Sequence, residues 1–207
     1  MNNIFDYFKL SPLYELLFPF AQRYYLYKWE KHKRKTLPVP HKIKQLLIES
    51  YAQAYDCLVL VETGTYFGSM VSSTKNTFKQ ISTIELDDKL YKRAKRKFSN
   101  DPHIKVLHGD SSVVLPKILK KLKKRALFWL DAHYSRGITA GKNKSSPIHI
   151  ELTHILRHTI KNHIILIDDA NNFVGGEYPK LDELKQLVFR YRPRATLSVK
   201  YNIITIA

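Results

Sequence analysis

Cysteine, acidic residues and long apolar runs are scarce in this sequence. The single cysteine, Cys57, cannot form an intramolecular disulfide bond, so we expect it to pack in a core and the protein to occupy a reducing compartment. No apolar run approaches the roughly 20 residues that a membrane-spanning helix needs. The first residues also lack the basic start and small-residue cleavage site of a secretory signal. We therefore expect a cytoplasmic protein, either soluble or peripheral at a membrane.

Acidic residues are few beside the basic ones. The chain of 207 residues has 35 Lys and Arg but 18 Asp and Glu, which gives a formal net charge of +17 at pH 7. This charge predicts attraction to anions such as nucleic acid, anionic lipid or phosphorylated substrates, without choosing among them. Basic residues cluster at 28–35, 89–97 and 117–125. Apolar residues at helical spacing indicate that the last two clusters are solvated helix faces.

The segment 57–68, CLVLVETGTYFG, is the most informative part of the chain. Its apolar run ends at the acid Glu62 and is followed by a loop with Gly64 and Gly68. This pattern predicts a buried strand and a loop whose backbone approaches a ligand closely. A dinucleotide-binding fingerprint would require a middle glycine where Tyr66 stands. The segment therefore predicts a nucleotide-cofactor loop but disfavours NAD.

Strand and helix patterns alternate after this loop. Predicted strands lie at 58–62, 81–86, 104–108, 126–131 and 163–168. Strands separated by helical patterns imply right-handed crossovers and a parallel sheet covered on both faces. The last two β-rich stretches, 196–200 and 203–206, are almost adjacent and predict an antiparallel hairpin. The fold class is therefore α/β, a doubly wound, Rossmann-like sheet that is mostly parallel and ends in a C-terminal hairpin.

The N-terminal segment differs from the rest in composition. Residues 1–35 are dense in Phe, Tyr and Leu and end in a basic cluster, so we divide the chain into a helical extension, 1–41, and a main domain, 42–207. Apolar residues recur every three to four positions, and Pro12 and Pro19 predict that the helices are short. Two alternatives stay open for this extension. It forms a helical lid packed on the core, or it lies on an anionic membrane surface or another polyanion.

Acidic side chains lie at the carboxyl ends of five successive predicted strands. They are Glu62, Glu85, Asp110, Asp131 and the pair Asp168 and Asp169. Ligands of open α/β sheets bind outside the carboxyl ends of the strands. A protein with few acids thus places them where a ligand site is expected.

Two of these acids have spacings that suggest a nucleoside. Glu85 lies 21 residues after Gly64, the distance at which an acid accepts hydrogen bonds from ribose hydroxyls. The alternative for Glu85 is an ion pair with Lys89. Asp110 in the run HGDSS is placed to accept from an adenine amine, and its alternative is the N-cap of the following helix.

At this point the chain resembles the class I S-adenosylmethionine-dependent methyltransferases. The resemblance covers about residues 42–207 and rests on ETGTYFG at 62–68, IELD at 84–87, HGDS at 108–111, LDAH at 130–133 and the terminal hairpin. It implies a seven-stranded methyltransferase sheet and S-adenosylmethionine as cofactor. By position, the resemblance assigns the methionine part to Glu62, Gly64, Thr65 and Gly68, the ribose to Glu85, and the adenine to Asp110 with Ser111.

The acids after the fourth and fifth strands suggest a metal ion. The runs FWLDAHY at 128–134 and ILIDDANN at 165–172 place Asp131, Asp168 and Asp169 at neighbouring strand ends. Carboxylates suit a hard divalent ion such as Mg²⁺, and the arrangement looks like that of the catechol-type and macrocin-type metal-dependent O-methyltransferases. Without a cation, clustered carboxylates raise one another's pKa or recruit a lysine. The alternative is therefore that one Asp caps a helix and another pairs with Lys or Arg.

The loop after Asp131 supplies the candidate catalytic base. His133 is our prediction for the group that removes the acceptor proton, because imidazole titrates near neutral pH, and Tyr134 is the reserve. The polar stretch 135–147 is expected to form a substrate loop or gate. Glu151, on a predicted helix, faces the same pocket or is an exposed helix acid.

These expectations combine into one function and two alternatives. We expect an S-adenosylmethionine-dependent O-methyltransferase that acts on a small hydroxylated acceptor, a sugar or phenol, with a divalent metal. The first alternative is methylation of RNA or another polyanion, which the net charge of +17 favours. The second is a non-catalytic module that binds a membrane surface or nucleic acid through residues 1–35.

Overall fold

A computed structural model of the chain describes residues 12–32, 39–131 and 146–207. Within these ranges the helices are α1 (Pro12–Lys31), α2 (His41–Ala54), α3 (Ser69–Thr74), α4 (Asp88–Lys97), α5 (Ser111–Leu119), α6 (Ile148–Arg157) and α7 (Leu181–Tyr191). The strands are β1 (Val59–Thr63), β2 (Gln80–Glu85), β3 (Ile104–His108), β4 (Leu127–Leu130), β5 (Ile164–Ile167), β6 (Leu197–Lys200) and β7 (Ile203–Ile206).

The seven strands form one sheet in the order β3-β2-β1-β4-β5-β7-β6. Strands β1 to β5 run parallel to one another, and β7 runs antiparallel to both β5 and β6. The hairpin turns at Tyr201 and Asn202, whose positive φ angles of 53° and 57° suit the twist of a two-residue hairpin loop. The predicted doubly wound, mostly parallel sheet with a terminal hairpin is confirmed. The strand order reverses between β1 and β4, which is where such folds bind ligands.

The sheet is covered by helices on both faces because alternate side chains of each strand point to opposite sides. Val61 and Phe128 belong to the core on the face of α5, α6 and α7. Leu60 and Trp129 belong to the core on the face of α2, α3 and α4, which also contains the buried free thiol of Cys57. The two cores hold the strands rigidly, so their carboxyl ends are fixed in position.

The N-terminal extension contains one continuous helix of 20 residues, α1, which starts at Pro12 and continues through Pro19. The predicted break at Pro19 is therefore wrong, whereas Pro12 is the residue at which the helix begins. A proline at the first helical position costs nothing, because the N–H that it lacks would have no intrahelical partner. Near the other end of α1, Trp29 is buried and packs edge-on against Tyr201 of the hairpin, with ring centroids 5.6 Å apart. Among the described residues, no helix has both the length and the apolar character that crossing a bilayer requires.

Candidate functional site

A cavity of about 210 Å³ lies at the carboxyl ends of β1 and β4, at the point where the strand order reverses. Its floor includes Glu62, Gly64 and Thr65 from the end of β1 and the following loop, and Asp131 from the end of β4. Three of the residues predicted to hold the methionine part of a cofactor thus line the same space as one predicted metal ligand.

The loop after β1 is a tight turn fixed to the neighbouring strand. The backbone N–H groups of Gly64 and Thr65 both donate to the carbonyl of Ile84 in β2, at 3.0 and 3.1 Å. Gly68 has a φ of +68°, and a Cβ at this position would lie 2.8 Å from the ring of Phe98. Only glycine fits such a left-handed, crowded position without displacing its neighbours. The loop therefore turns sharply and presents its backbone to the cavity.

Glu62 is a buried carboxyl at the end of β1, 1% exposed. It accepts a hydrogen bond from the hydroxyl of Thr83, which in turn contacts the hydroxyl of Thr65. Burial raises the pKa of Glu62 to about 8, the hydrogen bond from Thr83 counters part of that rise, and the charges of Asp131 and Glu85 add to it. At pH 7 the carboxyl is therefore mostly protonated, and a cationic ligand group beside it would favour its charged form.

Glu85 holds the loop rather than lining the cavity. Its Oε2 accepts from the backbone N–H of Tyr66 at 2.7 Å, and its Oε1 accepts from that of Asp87 at 2.9 Å. Burial raises the pKa of this carboxyl, and both hydrogen bonds oppose the rise. Each carboxylate oxygen has a second lone pair. Contact of Glu85 with a ribose stays a prediction.

Asp110 caps α5, which was the alternative given for it above. Its side chain accepts from the backbone N–H of Ser112 at 2.9 Å and from the hydroxyl of Ser112 at 2.6 Å. Ser111 follows as the first helical residue and is buried. The cap orients the start of α5 beside the end of β3, and the role of Asp110 and Ser111 in binding adenine stays a prediction.

Glu151 is fully buried, so it is not an exposed helix acid. It lies within 3.4 Å of the hydroxyl of Thr63 at the end of β1. Burial raises its pKa to about 7, and the hydroxyls of Ser111 and Thr63 counter part of the rise. The sequence carried a signal for this burial, because Glu151 lies three residues after Ile148 and four before Ile155 on the apolar stripe of α6.

The acids after β5 are held by residues that are distant in sequence. Asp168 is 4% exposed and forms an ion pair with Lys44 of α2. Burial raises the pKa of Asp168 to about 7, and the charge of Asp131 adds to the rise while Lys44 opposes it. Asp169 has a positive φ of 55° and accepts a hydrogen bond from the side chain of Asn202 at 3.3 Å. One of the three predicted metal ligands thus turns toward the hairpin.

A metal ion gains no support from this geometry. Within the ranges 12–32, 39–131 and 146–207, no three His, Cys, Asp or Glu side chains form a group that could hold a metal ion. The described residues do not include the predicted base His133, the second candidate Tyr134 or residues 135–145 of the predicted substrate loop. Asp168 is paired with Lys44 and Asp169 turns toward the hairpin, so Mg²⁺ binding by the predicted residues gains no support.

The roof of the cavity comes from the two N-terminal helices, for which the sequence pattern gave a helical lid as one of two alternatives without naming the residues that line the cavity. Phe18 and Gln22 of α1 and His41 and Lys44 of α2 line it from above. Burial and the neighbouring charge of Lys44 lower the pKa of His41 to about 4, so this ring is neutral at pH 7. Its Nε2 lies 3.3 Å from the hydroxyl of Ser73. The two N-terminal helices therefore close the site and supply a cationic side chain to it.

Comparisons with known proteins agree with the fold. No protein-family model matches the sequence, and no curated protein matches it. The structure is similar to that of the methyltransferase PaMTH1 of Podospora anserina bound to SAH (S-adenosylhomocysteine). The two sequences are 18% identical, the match covers 88% of this chain and 86% of that chain, and the TM-score is 0.54. It is also similar to the O-methyltransferase TomG of Streptomyces achromogenes in complex with SAM (S-adenosylmethionine), with 15% identity, coverage of 90% and 87%, and a TM-score of 0.55.

A third similar structure is an O-methyltransferase of Bacillus cereus in complex with SAH, with 12% identity, 90% of each chain covered and a TM-score of 0.50. At such low identities the similarity shows the fold. The chain has the class I methyltransferase fold that the sequence motifs predicted.

Proposed function

We propose that this protein is an S-adenosylmethionine-dependent methyltransferase that methylates a hydroxyl group of a small acceptor. The observation that carries the proposal is the cavity at the switch point of the sheet, which the loop after β1 and the buried acid Glu62 line together. The similar structures bound to SAM or SAH have the same fold.

The residues at the carboxyl ends of β1 and β2 each have a role in this proposal. The loop backbone at Gly64 and Thr65 binds the methionine part, and Glu62 faces its cationic ammonium group. Glu85 keeps the loop in place through Tyr66 and offers its second lone pairs to the ribose. The bound cofactor supplies an electrophilic methyl group on a sulfonium. Methyl transfer to a hydroxyl would replace the carbon–sulfur bond with a carbon–oxygen bond, would leave the electron pair on sulfur, and would release the hydroxyl proton to a base, for which His133 stays the prediction.

The size of the cavity and its roof support a small acceptor. About 210 Å³ is a small volume for a ligand pocket, and Phe18, Gln22 and His41 also line it. These side chains offer an aromatic face, an amide and a neutral imidazole, which suit a sugar or a phenol. Two of the solved structures with this fold are described as O-methyltransferases, which favours oxygen as the methyl acceptor.

Calorimetric titration with S-adenosylhomocysteine, with and without Mg²⁺, tests the proposal. We expect one binding site per chain under both conditions, and at least about tenfold weaker binding for Glu62→Gln, since this variant cannot carry a negative charge. Asp88→Asn serves as the matched control, because Asp88 is an exposed acid at the start of α4. Absence of binding in the wild-type chain under both conditions would remove the proposal.

A membrane-contacting role for α1 is favoured by a separate observation. Phe20 and Tyr24 follow the cavity-lining residues Phe18 and Gln22 by two positions each, which is about 200° around a helix. They therefore lie on the opposite side of α1 and are 71% and 55% exposed, as is Tyr27 at 60%. Aromatic side chains on a helix whose last turn carries Lys28 and Lys31 suit an anionic lipid surface. We propose that this face of α1 lies on such a surface.

Sedimentation with vesicles tests this second proposal. We expect the protein to bind vesicles containing anionic lipid, and the triple variant Phe20→Ser, Tyr24→Ser, Tyr27→Ser to lose that binding. Val174→Ser is the control, because Val174 is an exposed apolar residue elsewhere. Binding to RNA but not to vesicles would overturn the membrane role and support the polyanion alternative.

A further inference from the structure

Lys44 reaches the carboxyl edge of the sheet from the first turn of α2. It lies four and eight residues before Ile48 and Ala52, which are both buried against the core. Residues at this spacing share one side of a helix. Packing of Ile48 and Ala52 therefore turns Lys44 toward the strand ends, where its Nζ pairs with Oδ2 of Asp168.

The surroundings of Lys44 are strongly acidic. Burial alone would lower the pKa of its ammonium group, but the charges of Asp168, Asp131 and Asp169 outweigh that effect and raise it. A lysine ammonium group is charged at neutral pH, since its ordinary pKa is about 10.4. Lys44 is therefore a cation beside the three carboxylates that the sequence pattern assigned to a metal.

We propose that the ammonium group of Lys44 occupies the place of a divalent cation at this edge of the sheet, so that the site works without a bound metal ion. A hard cation such as Mg²⁺ needs carboxylate oxygens that are free to coordinate it. Lys44 already neutralises Asp168, and a second cation on the same carboxylate would be repelled by the first.

The ammonium group of Lys44 has more N–H donors than its ion pair uses. An ammonium group carries three N–H donors, and the ion pair with Asp168 uses one of them. Because Lys44 lines the cavity beside Asp131, another N–H is placed to hold the acceptor oxygen and stabilise negative charge on it. The contact of Lys44 with an acceptor oxygen rests on the proposed function. The proposal that Lys44 takes the place of a divalent cation does not.

Binding of Mn²⁺ to the full chain, followed by electron paramagnetic resonance, tests the replacement. We expect no stoichiometric Mn²⁺ site in the wild-type protein. Lys44→Met frees the carboxylate of Asp168, so we expect it to create a site that binds Mn²⁺ at least about tenfold more tightly than wild type and raises the melting temperature on Mn²⁺ addition. Lys42→Met is the matched control on the same helix, since Lys42 donates to Gln45 instead. It should behave as wild type.

Two further variants keep the result decisive. Lys44→Arg retains the cation and should exclude Mn²⁺, and Lys44→Gln replaces Lys44→Met if the latter does not fold. A wild-type Mn²⁺ site that is lost in Asp168→Asn would overturn the proposal. Absence of Mn²⁺ binding in the neutral Lys44 variants would overturn it as well. Titration of the same samples with S-adenosylhomocysteine reports separately on the proposed function.

Discussion

The two halves of the sheet edge hold their acids in different ways. At the ends of β1 and β2, Glu62 accepts from Thr83 on the adjacent strand, and Glu85 accepts from the loop N–H of Tyr66, 19 residues away. At the end of β5, Asp168 is held by Lys44, which is 124 positions distant. The first half is built from neighbouring strand ends and the second from a separate helix. A local motif can therefore identify the first half, while only the folded chain reveals the second.

The largest effect is expected from removing the distant cation. Lys44→Met should lower the free energy of unfolding by about 2–3 kcal/mol, because it leaves Asp168 buried without its partner. Asp168→Asn in the same chain should recover part of this loss. Urea denaturation of the single and double variants gives the coupling energy directly.

A surface ion pair supplies the contrast for this experiment. Lys92 pairs with Asp88 at 2.7 Å, but both side chains are more than half exposed. Lys92→Met should therefore change stability by less than about 0.5 kcal/mol. Equal losses for Lys44→Met and Lys92→Met would show that the half around β5 does not depend on its buried cation.

An intermediate effect is expected in the loop after β1. Gly68→Ala forces a side chain into a left-handed conformation and against Phe98, so we expect a loss of about 2 kcal/mol and weaker binding of S-adenosylhomocysteine. Gly176 also has a positive φ, of +91°, but a Cβ there would meet nothing within 4 Å. Gly176→Ala should cost about 1 kcal/mol and leave binding unchanged, as measured by urea denaturation and calorimetry. If the two variants behave alike, the crowding at Gly68 is not what shapes the loop.

The last prediction concerns pH rather than a substitution. Burial raises the pKa of Glu62 from 4.5 to about 8 and that of Glu151 from 4.5 to about 7. The folded state therefore binds these protons more tightly than the unfolded state. Each group's contribution is fully present below about pH 4.5 and is lost as the pH rises through its folded pKa. We expect the free energy of unfolding to fall between pH 5 and pH 8, by at most about 1.4 kcal/mol per pH unit per group.

The variant Glu62→Gln isolates one of these groups. It cannot titrate, so its stability should depend less steeply on pH than that of the wild-type chain when both are unfolded with urea at pH 5, 6, 7 and 8. Identical slopes for the two proteins would contradict the assignment of a raised pKa to Glu62.

The fold was largely predictable from the sequence because strand and turn patterns are local. The strand at 104–108 and the hairpin strand at 203–206 match the structure residue for residue. Asp110 could be identified as either an N-cap or a ligand, and its hydrogen bonds to Ser112 support the cap. Local rules failed at Pro19, where tertiary packing at Trp29 and the cavity holds one helix together despite the proline.

The candidate site was predictable only in part. Glu62, Gly64 and Thr65 line the cavity, as their place after a buried strand indicated. Lys44 was missed because its spacing to Ile48 and Ala52 becomes informative only once those two residues are known to be buried. Which lysine meets Asp168 depends on how the helix packs on the sheet, and a single sequence does not specify that rotation.

Anomalous diffraction from crystals soaked with S-adenosylhomocysteine and Mn²⁺ tests the central claim most directly. The account predicts the nucleoside beside Glu62 and Glu85, the ammonium group of Lys44 on Asp168, and no manganese peak between Asp131 and Asp168. A manganese peak at those carboxylates with Lys44 displaced, or a nucleoside bound elsewhere, would contradict it.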